Sequence, residues 1–231
     1  MHENFKSKLL KPQIQMIKER LDAQLLESLK ENGFIESTEL EQICIPKIKS
    51  GHDLLCIAGK DSGKSTTIIV SVLQRLKAEL EDNPRAVIVV ADKERALEMK
   101  NEFGRLGDYT DLRIHTACDD EKIDVQKDKI YMGSDVVIGT AKRLNQIYTL
   151  YALNLGSVQI FAIDDADRVI KNLNYLQLDR LAQSLPKAQK IVFATTLTEW
   201  VERFANEFMN NQDIIEIEES EQNANDGSEQ Q

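Results

Sequence analysis

Ala58-Gly-Lys-Asp-Ser-Gly-Lys-Ser65 departs from the phosphate-binding pattern GxxxxGK[ST] only at its first residue. The apolar stretch Asp53–Ala58 before it reads as a buried strand, and the apolar periodicity of Lys64–Leu80 after it reads as a helix. Strand, glycine-rich turn and helix start in that order aim backbone N–H groups at a polyphosphate. On this reading Lys64 reaches the β- and γ-phosphates and Ser65 holds Mg²⁺. Ser62 and Gly63 shape the turn, and Thr66 flanks it. The blander reading, a turn that ends in Lys-Ser by chance, does not account for the elements on either side.

Outward from this loop, strand and helix signals alternate. Strands are expected at Ala86–Ala91, Leu112–Thr116, Asp135–Gly139, Gln159–Ile163, Lys190–Ala194 and Ile214–Ile217. Helices are expected at Glu94–Phe103, Ala141–Leu150, Leu176–Leu185 and Glu199–Met209. Ahead of the loop, Met16, Ile17, Leu21, Leu25, Leu26 and Leu29 have helical spacing, ended by Gly33, and a second periodic stretch runs from Leu40 to Ile48. Continuous apolar strands alternating with helices predict an α/β fold, a mostly parallel sheet with helices on both faces. Ligands then bind at the carboxyl ends of the strands. One such end is Ile160-Phe-Ala-Ile-Asp164-Asp165, about 100 residues after the phosphate loop, where Asp164 would hold the water shell of Mg²⁺.

Length and composition set limits on function. The 231 residues suit one domain, expected over 1–217 with the helical segment 14–50 leading into it. Residues 218–231 are acidic and polar and are expected to form a disordered tail. The net charge is −10, and the chain from Asp213 onward carries seven acids and no Lys or Arg, which leaves −3 for the remainder. Nucleic acid would have to be held locally, since bulk charge opposes it. Cys44, Cys56 and Cys118 show no metal-ligand or CxxC spacing, which points to reduced thiols in a cytoplasmic protein. The longest apolar runs fall well short of the roughly 20 residues of a membrane span, and Met1–Pro12 has no signal-peptide core, so no membrane partner is expected.

Asp164-Asp-Ala-Asp167-Arg168 resembles the Asp-Glu-Ala-Asp-Arg segment that names the DEAD-box RNA helicases. Other pieces follow in family order from about Met16 to Ile217. Gly33-Phe34, Thr38-Glu-Leu-Glu41, Ile45-Pro46 and Gly51-His-Asp53 are similar to the segment that leads into the phosphate loop. Ala91-Asp-Lys-Glu94-Arg-Ala96 stands where the family has Pro-Thr-Arg-Glu-Leu-Ala, and Gly139-Thr140-Ala-Lys-Arg143 where it has Gly-Thr-Pro-Gly-Arg. Val192-Phe-Ala194-Thr195-Thr196-Leu stands where it has Phe-Ser-Ala-Thr. The resemblance implies a RecA-like P-loop NTPase domain that binds ATP and Mg²⁺.

Residue by residue, the resemblance gives Phe34 and Glu41 the adenine side, with Met16 at the position of an aromatic that packs on the base. Glu41 replaces a Gln and, when ionised, has no proton to donate to a ring nitrogen. Asp61 stands where the loop usually has Gly. It either faces the triphosphate, at a cost on the order of 4 kcal/mol for 4 Å and a dielectric of 20, or turns out to pair with Lys60. Asp165 occupies the water-activating position of a Glu and is one methylene shorter. Asp167 and Thr196 are implied to couple two motifs by hydrogen bonding. Lys93, Thr140, Lys142 and Arg143 are the RNA candidates, with a solvated helix-start surface as the alternative. The resemblance also implies a second RecA-like half carrying an arginine finger, for which 231 residues leave no room. The expectation is therefore a single-domain nucleotide-binding module, impaired in hydrolysis and unwinding. The alternatives are a scaffold that uses the fold and acidic tail, or one half of a split helicase completed by a protein partner.

Overall fold

Strand β5 (Ile160–Ile163) is the middle strand of a seven-stranded sheet in the order β3-β4-β2-β5-β6-β1-β7. The others are β1 (Leu54–Ala58), β2 (Ala86–Val90), β3 (Ile114–Ala117), β4 (Val136–Thr140), β6 (Gln189–Ala194) and β7 (Asp213–Ile217). Every neighbouring pair is parallel, so the mostly parallel sheet expected is fully parallel. This computed structural model describes residues 21–34, 36–80, 82–119, 121–171 and 175–217. The expected helical turn around Met16 and the tail 218–231 lie outside the described residues.

Alternation along each strand divides the interior in two. Leu54, Cys56, Ala86, Ile88 and Val90 face one core, and Leu55, Val87 and Val89 face the other. The first core is roofed by α1 (Ala23–Glu31), α2 (Glu39–Ser50), α3 (Lys64–Leu76) and α4 (Lys93–Leu106). The second is closed by α6 (Ala141–Thr149), α7 (Ala166–Lys171), α8 (Tyr175–Gln183) and α9 (Glu199–Phe208), with Ile130 of α5 (Ile123–Tyr131) beside them. Burial on both faces is why the five inner strands read as largely apolar runs, while the edge strands β3 and β7 carry polar residues and are only partly buried. At the amino ends, buried Asp135 accepts from Arg113 at 3.0 Å and pairs with Arg85 at 2.6 Å.

Several expected boundaries move. The helix after the phosphate loop stops at Leu76, because Lys77 turns to φ +62°, and does not reach Leu80. The short third strand lies at Ile114–Ala117, two residues later at its start than expected. Helices α5 and α7 had no expectation. Both are short and their apolar residues are broken by charged ones, so the periodic pattern is weak and packing against the sheet outweighs it.

Candidate functional site

The carboxyl ends of β1, β5 and β6 and the starts of α3 and α4 enclose a cleft of about 560 Å³, within the usual size range of ligand sites. Its floor is the loop of residues 59–63. Ser62 Oγ donates to Gly59 O at 2.9 Å, and Thr67 Oγ1 donates to Gly63 O at 2.9 Å, so both limbs of the turn are pinned by short hydroxyl side chains. Gly63 has φ +95°, and a Cβ there would lie 3.0 Å from Thr38 Oγ1 and 3.1 Å from Glu41 Oε1. Only glycine fits that backbone and that gap. Lys64, Ser65 and Thr66 of the first turn of α3 line the cleft, which puts the N–H groups that a helix start leaves without intrahelical partners beside it.

Lys64 is buried and folds back over its own loop. Its Nζ donates to Ala58 O at 2.9 Å and to Gly59 O at 2.6 Å and lies 3.4 Å from Asp165 Oδ1. That Asp165 oxygen is buried with no aligned hydrogen-bond donor among the described residues, so its attraction to Lys64 is ionic and weakly directional. Asp165 itself sits at φ +51°, a left-handed backbone that Asp tolerates better than most residues. Asp61 is exposed at φ +56° on the rim, and no ion pair with Lys60 is found among the described residues. It neither fills the phosphate seat nor makes the outward pair considered above.

Ser65 and Asp164 come together across 99 positions of sequence, the Ser65 hydroxyl donating to Asp164 at 2.9 and 3.1 Å. The sequence reading made them Mg²⁺ ligands. In the structure they hold the side chain of Arg95 instead. Arg95 Nε donates to Asp164 Oδ2 at 2.9 Å, its Nη2 donates to Ser65 Oγ, and its Nη1 donates to Glu98 Oε2 at 3.1 Å. Burial pushes the Asp164 carboxyl above the ordinary carboxylate range. Arg95 pulls it back, the Asp165 charge adds to the rise, and the Ser65 hydroxyl opposes it. Mg²⁺ demands a near-octahedral set of oxygens. Like unit charges about 4 Å apart repel by about 4 kcal/mol at an effective dielectric of 20. This donor set, with its guanidinium in place, does not fit the ion. Arg95 escaped the sequence reading, although a charged residue where the family has Leu was a visible signal.

The remaining expected residues fall in three places. Phe34, Glu41 and Thr66 line a small apolar recess beside the loop, with Arg105 stacked 5.2 Å over the Phe34 ring. Glu41 Oε2 accepts from Thr38 N at 2.9 Å and closes a capping box on α2; burial raises its pKa and the Thr38 amide opposes that. Asp167 Oδ1 accepts from the Thr195 amide at 2.8 Å, whereas Thr196 is exposed, so the bridge between the two motifs runs through Thr195 and not Thr196. Along the edge, Lys93 and Lys142 are exposed and Thr140 caps α6 through the Arg143 amide. Arg143 is buried and spent inside the chain, on Asp119 at 2.6 Å and on Glu121 O and Gln126 Oε1 at 3.0 Å each. It is withdrawn as an RNA candidate, because its donors already have acceptors. Among the described residues no helix is long and apolar enough to cross a membrane.

Comparison with known proteins bears on the family and the fold. The family model for the DEAD/DEAH box helicase matches residues 38–204. The ATP-dependent RNA helicase RhlB of Vibrio cholerae is 29% identical over 210 residues, which are 86% of this chain and 47% of that protein. RhlB of Pectobacterium carotovorum is 30% identical over 211 residues, 86% and 48% of the two chains. A DEAD box protein from the hyperthermophile Methanococcus jannaschii superposes with a TM-score of 0.81 at 19% identity, over 86% of this chain and 54% of that one. The yeast DEAD-box splicing factor Prp28 gives 0.80 at 19%, over 86% and 50%. These structures share the RecA-like fold. The chain spans about half the length of the curated relatives it matches.

Proposed function

The chain belongs to the DEAD/DEAH box helicase family, and we propose from that membership that it is an ATP-binding domain of RNA-helicase type, slow or inactive in hydrolysis by itself. The observation that carries the reading is the open loop around Gly63 with the Lys64 ammonium inside it. The ammonium donates to two carbonyls and lies 3.4 Å from Asp165 Oδ1, and a β- or γ-phosphate offers it an anionic acceptor at hydrogen-bond distance. The apolar recess of Phe34, Glu41 and Thr66 lies beside the loop on the side the adenine ring would take.

Slow turnover follows from the water-activating position. Asp165 is one methylene shorter than Glu, and its Oδ1 faces Lys64. A misplacement of about 1 Å costs roughly a hundredfold in rate. A second RecA-like half supplies the arginine finger in this family, which on related chemistry is worth about 10³–10⁵. A partner carrying that half would raise the rate. RNA is held weakly along the carboxyl edge by Lys93, Thr140 and Lys142.

Calorimetric titration with ATP tests the binding reading. The wild type is expected to bind and Lys64→Ala to lose at least about tenfold in affinity, the 1.4 kcal/mol of a single charge-assisted contact. Absence of heat at millimolar ATP, or equal binding by the variant, removes the reading.

A further inference from the structure

We propose that the Arg95 guanidinium is a built-in replacement for the divalent cation, so that the cleft takes its nucleoside polyphosphate free of metal. The proposal rests on the cleft being a nucleotide site and adds to that reading the ionic form of the ligand. The geometry is specific. Asp164 is fully buried, and its carboxylate is used by Ser65 and by Arg95 Nε at 2.9 Å. The Ser65 hydroxyl donates to Asp164 and accepts from Arg95, so both groups that would anchor a metal are turned toward one guanidinium.

The guanidinium is held in place from its own backbone. Arg95 lies in the first turn of α4, where the Asp92 side chain caps its amide at 2.9 Å, and Asp92 is paired in turn with Arg168 at 3.3 Å. Glu98, one turn on, takes the third guanidinium nitrogen at 3.1 Å. The arginine is one-third exposed, and that third lines the cleft with Lys64. A guanidinium cannot be deprotonated in a protein and offers a planar fork of donors that matches phosphate. Lys64 and Arg95 both line the cleft, and of the guanidinium's five N–H groups three are spent on Asp164, Ser65 and Glu98, which leaves two to meet a phosphate. An apolar residue at position 95, as in the Pro-Thr-Arg-Glu-Leu-Ala pattern, would leave Ser65 and Asp164 open.

The test is ATP affinity measured by calorimetry in EDTA and in excess Mg²⁺ at one ionic strength, for the wild type, Arg95→Leu and Arg95→Gln. Gln is the second variant because it keeps helix propensity and a donor for Asp164 while removing the charge. The wild type is expected to change by less than about threefold on adding Mg²⁺, and the variants to gain about tenfold or more. Electron paramagnetic resonance with Mn²⁺ and ADP supplies a separate readout, a protein-bound ternary signal in the variants and none in the wild type. Tighter wild-type binding in Mg²⁺ by tenfold overturns the proposal and leaves the nucleotide site standing. Variants as indifferent to Mg²⁺ as the wild type also overturn it. No wild-type binding in either buffer removes the nucleotide site and this proposal with it.

Discussion

Gly63 combines a left-handed backbone with a gap of about one hydrogen between the loop and the cap of α2. Gly63→Ala is expected to cost about 1–2 kcal/mol in denaturant unfolding from the backbone alone, with nucleotide affinity falling in the same variant. A stable variant that binds normally would show that the turn is not the cradle. Glu41 offers a pH-dependent test. Burial raises its folded pKa, so its contribution to stability is full below the ordinary glutamate value and is lost as pH rises through the folded value. Glu41→Gln keeps the capping box and removes that loss. Its melting temperature should match the wild type near pH 4 and exceed it at pH 7, with the ordinary glutamate pKa at about 4.3 marking where the curves part. Parallel curves would contradict the assignment. At this scale the sequence was legible where a motif carries its own backbone geometry, as at the left-handed turn of Gly63 that opens α3. It was opaque at Arg95, whose role depends on which strand lies beside which.

Element order explains that opacity. Strand β2 lies next to β5, and the Asp164 amide donates to Val89 O at 2.9 Å, which brings the first turn of α4 against Asp164. Nothing within either segment announces the neighbour. Arg143 shows the converse. A charged residue at a helix start suggests a solvated or ligand-facing position, yet here it ties α6 to the loop before α5 through Asp119 and Glu121 and to α5 itself through Gln126. Arg143→Ala is expected to lose about 1–3 kcal/mol, the cost of leaving buried partners unsatisfied, with little direct effect on RNA affinity. Lys142→Ala should leave the unfolding midpoint unchanged and weaken a short RNA about equally for every sequence. Fluorescence anisotropy beside denaturant melts separates the two, and the reverse pattern would return Arg143 to the RNA edge.

For the molecule as a whole, the alternation of apolar strands and helices was enough to read a parallel α/β sheet, because burial on both faces leaves that pattern in the five inner strands, while the edge strands β3 and β7 are only partly buried. On the proposed reading hydrolysis needs a second RecA-like half. Phosphate release by the chain alone is expected to stay near background. It should rise by at least about tenfold when a second RecA-like half is supplied in trans with RNA, a small part of what an arginine finger can contribute. Turnover by the isolated chain at typical enzyme rates of about 1–10³ per second would show that Asp165 suffices without help. The most direct measurement is a crystal structure with a non-hydrolysable ATP analogue. The phosphates should lie on the amides after Gly63, with Lys64 Nζ moved from Ala58 O and Gly59 O onto a phosphate oxygen. An analogue bound elsewhere, or a loop that keeps Lys64 folded onto its own carbonyls with the cleft empty, would contradict the assignment of this cleft.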